Sequence, residues 1–245
     1  MKDNFSTQAN QYANFRPNYP TTLFDFIFKH VKQFNCALDV ATGNGQAASV
    51  LADRFTKVYA TDISQKQLDN AIRKENIFYS VESAEQFSFP DHSFDLITVA
   101  QAIHWFNFDK FYAEVNRTLK DDGLMVVIGY GLIRVDEKIN PIIDHFYKTV
   151  IGSFWDKERK HIDEEYRTIP FPFTQIESPK LFIEYEWTLD HFVNYIGTWS
   201  AVQHFIKEHN SNPVYCDMLQ SLQLVWEATE KKKVSFPLFI KAGRK

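Results

Sequence analysis

Two aspartates and two glycines in one short stretch, Asp39, Gly43, Gly45 and Asp62, are the residues most able to shape a binding site. Glycine is scarce in this chain, 8 of 245 residues, so the Gly43-x-Gly45 pair stands out from composition. An apolar run from Cys36 to Ala41 leads into Thr42-Gly43-Asn44-Gly45, and Ala47, Val50, Leu51 and Phe55 then recur at helical spacing. A strand running through a glycine turn into a helix lets a ligand approach bare backbone near the helix N-terminus. The spacing Gly43-x-Gly45-x-x-Ala48 also satisfies the dinucleotide pattern, so the turn serves two ligand classes. The acids distinguish them. A carboxylate at Asp39, just before the turn, would repel a pyrophosphate but complement a ligand carrying an ammonium and a sulfonium. Asp62, closing the second strand, suits both hydroxyls of a ribose.

Each acid alone has a plainer reading, Asp39 as a strand-end cap and Asp62 as a turn or N-cap residue. Together with the turn they describe a pocket for a nucleoside with a positive group. S-adenosyl-L-methionine fits that description, with S-adenosyl-L-homocysteine as its demethylated product. A nicotinamide-dependent oxidoreductase using the Gly43/Gly45/Ala48 turn is the alternative.

The elements that position these residues alternate. Strands are predicted at Cys36–Ala41, Lys57–Thr61, Ile77–Val81, Phe94–Ala100 and Gly123–Gly129, with helices over Gln46–Phe55, Ser64–Arg73 (Ser64 as N-cap) and Phe108–Leu119. Phe94–Ala100 is nearly continuous in apolar residues, as befits a strand covered on both faces. Such alternation implies right-handed crossovers and a parallel sheet. Further on, Ile139–Ile151 reads as helix, Trp155–Thr174 as loop, Leu181–Trp187 as strand, Asp190–His209 and Pro213–Lys231 as helices, and Val234–Ile240 as a last strand. The expected fold is α/β: a Rossmann-like, seven-stranded, mostly parallel sheet with helices on both faces and a helical cap. One domain is expected over 1–245, with 1–35 as a lid region, 36–131 as the cofactor-binding core and 132–245 as remaining strands plus cap.

These segments, in this order, resemble class I S-adenosylmethionine-dependent methyltransferases. The likeness is carried by the glycine-turn strand, Val58-Tyr59-Ala60-Thr61-Asp62, Ser83-Ala84-Glu85 before Phe89-Pro90-Asp91, Ser93-Phe94-Asp95 and Leu119-Lys120-Asp121-Asp122-Gly123. Within the superfamily the chain is similar to the small-molecule branch that includes trans-aconitate methyltransferase-like proteins, through Tyr12–Pro20, Ala102-Ile103-His104-Trp105-Phe106, Thr198-Trp199-Ser200-Ala201 and Phe236-Pro237-Leu238. The resemblance implies that Asp39, Ala41, Gly43 and Gly45 line the methionine half of the cofactor. It further implies that Asp62 holds the ribose, Ile63 packs on the adenine, Ala84 and Glu85 meet the adenine edge, and Gln101 lies near the methionyl part. Arg16, in the lid, would pair with the methionyl carboxylate or an acidic substrate. Two positions depart from the family pattern: Ala41 replaces a usual glycine, and Asp121-Asp122 replaces a common Pro-Gly.

Methyl transfer from a sulfonium is an in-line displacement, so alignment in a dry pocket supplies much of the rate. His104, after the fourth strand, is the candidate base or orienting donor, against a plain role tied to a loop carbonyl. Tyr12, Tyr19, Trp105, Trp155 and Trp199 are the candidate acceptor-pocket residues, with core packing as the competing fate. A carboxylate acceptor would need no base; a phenol or protonated amine would. The acceptor expected is a small organic acid or an aromatic metabolite. A silent cofactor-binding protein is a third reading.

Composition narrows the partners. Lys+Arg 27 against Asp+Glu 31 argues against a duplex-nucleic-acid binder, and Lys231-Lys232-Lys233 reads as a solvated helix end. Cys36 and Cys216 have no metal or redox spacing, and His161 near Asp163 and Glu164 matches no zinc or calcium pattern, so no metal is expected. No apolar run approaches a membrane span and Met1–Gln11 lacks a signal core, so a cytoplasmic protein with no membrane partner is expected.

Overall fold

The computed structural model of the chain describes Phe15 and residues 17–245. Helix α1 (Thr21–His30) precedes the alternating half: β1 (Cys36–Val40), α2 (Gln46–Leu51), β2 (Lys57–Asp62), α3 (Gln65–Asp69), β3 (Ile77–Val81), β4 (Phe94–Ala100), α4 (Phe108–Thr118) and β5 (Leu119–Tyr130). The second half adds α5 (Asn140–His145), α6 (Arg159–Asp163), β6 (Thr174–Ile176), β7 (Leu181–Trp187), α7 (Leu189–Gly197), α8 (Ser200–His209), α9 (Leu219–Gln223) and β8 (Lys232–Arg244). A π-helical turn at Phe146–Val150 extends α5.

The sheet has eight strands, one more than predicted, in the order β3-β2-β1-β4-β5-β8-β6, with β7 also on β8. The first five are parallel. Only β8 runs against its neighbours, pairing antiparallel with β5, β6 and β7. Pleating sorts the central residues into two cores. Val126 and Ile128 of β5 face the layer holding Leu23, Leu51 and Phe192, while Met125 and Val127 face the layer holding Phe111, Val115 and Tyr166.

Asp95 fixes the edge of the sheet where the parallel strands begin. Its carboxylate accepts from the amides of Asn35 (3.1 Å) and Cys36 (2.9 Å) and from Lys120 Nζ (2.7 Å). The site-bearing residues therefore gather at the opposite, carboxyl edge.

The helices predicted over Gln46–Phe55 and Ser64–Arg73 are the shorter α2 and α3, the strand predicted over Gly123–Gly129 is the longer β5, and three further elements differ more deeply. The helix expected over Asp190–His209 is broken at Thr198-Trp199, where Trp199 is extended (φ −68°, ψ 137°) and starts α8. The stretch Trp155–Thr174, read as loop, contains α6 and leads into the added strand β6. The long helix expected over Pro213–Lys231 is a π-helical turn at Val214–Met218 followed by the short α9. No helix among the described residues is long and apolar enough to cross a membrane.

Candidate functional site

The turn after β1 is built from left-handed backbone. Ala41 (φ 53°), Gly43 (φ 58°) and Gly45 (φ 80°) all have positive φ, and Gly45 is the N-cap of α2. At Gly45 the absent side chain also matters sterically, because a Cβ there would run into the Tyr79 hydroxyl. Ala41 takes this conformation with a Cβ in place, a strained geometry costing about 1–2 kcal/mol for an L-residue.

Asp39 lies beneath the turn, fully buried. Thr42 Oγ1 donates to one carboxylate oxygen at 2.6 Å and Thr98 Oγ1 to the other at 2.7 Å. Burial outweighs these bonds and pushes its pKa up to about 6. A carboxyl held at the edge of ionisation in a closed site is stabilised as the anion by a nearby cation, so Asp39 suits a positively charged ligand group.

Asp62 closes β2 and is also buried. Its Oδ2 accepts from the Gly43 amide and its Oδ1 from the Ser64 amide, each at 2.9 Å. The acid thus braces the glycine turn from the neighbouring strand. Ser64 caps α3, its Oγ accepting from Gln67 N at 3.4 Å. Ile63, between them, is half-buried.

After β3, Ala84 is buried and Glu85 ties two loops together. The Glu85 carboxylate accepts from the Ser83 hydroxyl and from the Asn107 amide (3.1 Å). Partial burial pushes its pKa up, but these bonds win and hold it below the usual glutamate range. At the end of β4, Gln101 has positive φ (55°) and turns its side-chain amide to β5: Tyr130 N donates to Oε1 at 2.9 Å and Nε2 donates to Tyr130 O at 3.2 Å.

His104 is buried, with Nδ1 2.8 Å from the Tyr166 hydroxyl. Burial, then the charges of Arg159 and His161, lower its pKa to about 3. Its imidazole is neutral throughout the physiological range, a poor match to proton abstraction near pH 7. Tyr166 reaches it from a turn with two successive left-handed residues, Glu165 (φ 54°) and Tyr166 (φ 57°). Trp105, half-buried, stands with its ring 4.9 Å from that of His104.

In the cap, Trp199 is buried and Trp155 half-buried, their rings 5.7 Å apart, and Tyr147 packs against both at 5.8 Å and 4.9 Å. Tyr19 tilts on Tyr130 at 6.5 Å. Tyr12 and Arg16 lie outside the described residues. The structure thus brings Asp39, Ala41, Gly43, Gly45 and Asp62 together around one turn, with Ala84, Glu85, Gln101, His104 and Trp105 along the same sheet edge.

A family model described as a methyltransferase domain matches residues 38–127, the span containing both aspartates and the turn. A Dictyostelium discoideum protein provisionally named a methyltransferase is 32% identical over 251 residues, covering 99% of this chain and 95% of that protein. The chain belongs to the class I S-adenosylmethionine-dependent methyltransferases. A Saccharomyces cerevisiae protein provisionally named an S-adenosylmethionine-dependent methyltransferase is 22% identical, covering 88% of this chain and 86% of its own length. A solved structure from Anaeromyxobacter dehalogenans, provisionally described as a type II methyltransferase, superposes with a TM-score of 0.87 at 36% identity, covering 94% of this chain and 98% of that one.

Within this methyltransferase the second departure from the family pattern has a local explanation. Asp122 stands where a glycine is common and takes positive φ (64°), a conformation aspartate tolerates better than most residues, with Lys32 3.0 Å from its carboxylate. Three residues at the site escaped the sequence reading: Tyr79 over Gly45, Tyr166 on His104, and Arg159 in the cap. Tyr79 occupies an ordinary strand position and the other two a stretch read as loop, so no spacing signal marked them.

Proposed function

We propose that this methyltransferase binds S-adenosyl-L-methionine at the turn after β1 and moves its methyl group to a small-molecule acceptor, leaving S-adenosyl-L-homocysteine. The carrying observation is the pair of buried carboxylates, Asp39 and Asp62, flanking a turn of three left-handed residues. That arrangement fits the cofactor: an acid poised to ionise for the cationic end, a braced second acid for the ribose, and open backbone between. When bound, the cofactor supplies an electrophilic methyl on a positively charged sulfur.

In this reading Asp39, Ala41, Gly43 and Gly45 line the methionine half, with Gln101 beside it and Arg16 on the methionyl carboxylate. Asp62 holds the ribose, Ile63 flanks the adenine, and Ala84 and Glu85 meet its edge. Residues 1–35 serve as lid, 36–131 as cofactor core and 132–245 as sheet completion and cap. Trp105, Trp155, Trp199, Tyr12 and Tyr19 shape the acceptor pocket and exclude water. Neutral His104, tied to Tyr166, orients the acceptor and does not titrate near neutrality. An organic-acid acceptor, as in the trans-aconitate methyltransferase-like branch, accords with a neutral His104, since a carboxylate nucleophile sheds no proton; an aromatic metabolite is the other acceptor class of this reading. A small molecule in the cytoplasm, without nucleic acid or membrane, is supported by the acidic charge balance and the free Cys36 and Cys216.

The test is calorimetric titration with S-adenosyl-L-homocysteine and with NAD, followed by transfer from labelled donor into a metabolite extract. The expected result is saturable binding of the first ligand only and a labelled small product. Binding of NAD alone would overturn the cofactor, and binding without any labelled product would leave a silent binder.

A further inference from the structure

Arg159 opens α6 with its guanidinium carbon 4.5 Å from the centre of the Trp155 ring and 5.3 Å from that of Tyr147. Its Nε donates to the Tyr147 hydroxyl at 2.7 Å, and that hydroxyl donates onward to Asp163 Oδ1 at 2.6 Å. The side chain is 19% exposed, so most of it is out of water. A guanidinium carries five N–H donors in a rigid plane. Here Nε is used, and neither terminal nitrogen has a hydrogen-bond partner among the described residues. Asp163 lies 3.6 Å from Nε but is 47% exposed, which leaves the positive charge only weakly compensated. The cation is held in place with its terminal fork uncommitted.

Its location gives that fork a purpose. Helix α6 packs on the turn Ile103–Trp105 at the carboxyl edge of the sheet, and the Arg159 charge is felt at buried His104. A set of aromatic faces such as Tyr147 and Trp155 is a common receptor for a ligand's cation. In this protein the chain's own guanidinium takes that position, so what the place can recruit is an anion.

We propose that Arg159 is the specificity-determining anchor for a carboxylate or phosphate group on the methyl acceptor. The substrate class is then a small anionic metabolite whose charged end is gripped in the cap. This inference rests on the methyltransferase reading and adds the acceptor's charge to it. Carboxylate and phosphate both match a guanidinium fork, in one plane and by two parallel bonds.

The test titrates the wild-type protein with glutarate, benzoate and phenyl phosphate, and with benzyl alcohol and benzylamine as uncharged and cationic controls. Each is measured with and without S-adenosyl-L-homocysteine. At least one anion is expected to bind in the millimolar range or better while the controls do not. Arg159→Gln should weaken that anion by tenfold or more, and Arg159→Lys, which keeps the charge but loses the fork, by an intermediate factor. Affinity for S-adenosyl-L-homocysteine should stay within twofold in both variants, which a merely structural arginine would not guarantee. The proposal is overturned if no anion binds the wild type, if a control binds better than all three anions, or if Arg159→Gln leaves anion affinity unchanged. Benzoate or glutarate without phenyl phosphate identifies the head group as carboxylate, and the reverse identifies phosphate. Failure of S-adenosyl-L-homocysteine to bind would strike the cofactor reading instead, and the anion arms measured without it still decide the anchor.

Discussion

Asparagine at position 39 separates the effect of this carboxylate on folding from its effect on the ligand. The carboxyl ionises near 3.8 when unfolded and about 6 when buried in the fold, a rise of about two units. At about 1.4 kcal/mol per unit, that is roughly 3 kcal/mol held against the native state once the group is ionised. The sign follows from which state loses its proton first. Below about pH 4 both states are protonated and the group contributes nothing. Between about pH 4 and 6 the unfolded chain ionises ahead of the folded one, so stability falls as pH rises, and above about 6 the full penalty applies. Asp39→Asn has no proton to lose, and the hydroxyls of Thr42 and Thr98 can rotate to pair with an amide. Urea unfolding of both proteins should therefore give similar stabilities near pH 4. By about pH 8 the variant should be ahead, by up to roughly 3 kcal/mol. The same substitution should weaken S-adenosyl-L-methionine, which carries a sulfonium, more than the neutral-sulfur S-adenosyl-L-homocysteine. A stability gap that does not change with pH, or a variant less stable than wild type at about pH 8, would refute the argument that burial strains this acid.

Four other substitutions probe the site. Asp62→Ala removes the acceptor for the Gly43 and Ser64 amides, so urea unfolding should show a loss of about 2–4 kcal/mol, in addition to cofactor affinity weakened more than tenfold. His104 has a pKa of about 3, so the pH profile of turnover should have no limb between about 5 and 8 that disappears in His104→Gln. Gly45→Ala meets both positive φ and the Tyr79 hydroxyl; pairing it with Tyr79→Phe should recover part, but not all, of the lost melting temperature, because the backbone strain remains.

What the amino-acid order makes legible is governed by burial. Strands β3, β4 and β7 match their predicted limits because their apolar residues either run continuously or alternate cleanly between tight turns. The glycine turn and both aspartates are legible for the same reason: few residue types can occupy such positions. The break between α7 and α8 is invisible to periodicity, since Phe192, Val193 and Ile196 before it and Ala201 and Val202 after it are all buried. Strand β6 has three half-exposed or exposed residues and is defined only by its partner β8, which sequence pattern cannot show. Strand β8 runs on to Arg244 because Lys241 pairs with β5 and Ala242–Arg244 pair on both sides, not because those residues favour extension. Long-range contacts likewise place Tyr166 on His104 and Arg159 between its aromatic neighbours.

The reversed strand has a consequence for how the molecule reaches its native state. Val127 pairs with Lys241 and Met125 with Gly243, so the partner of β5 arrives only after the whole cap has been threaded between them. Loop closure across that distance is slow, and until it happens the unpaired N–H and C=O groups of Met125–Ile128, set among apolar side chains, form an edge open to other chains. The parallel half can assemble early from local crossovers, whereas the cap and strands β6 and β7 must wait for the same late strand to seat them. Mutations that loosen β8 should then show up first as poor yield of soluble protein during refolding, before any defect in the finished enzyme.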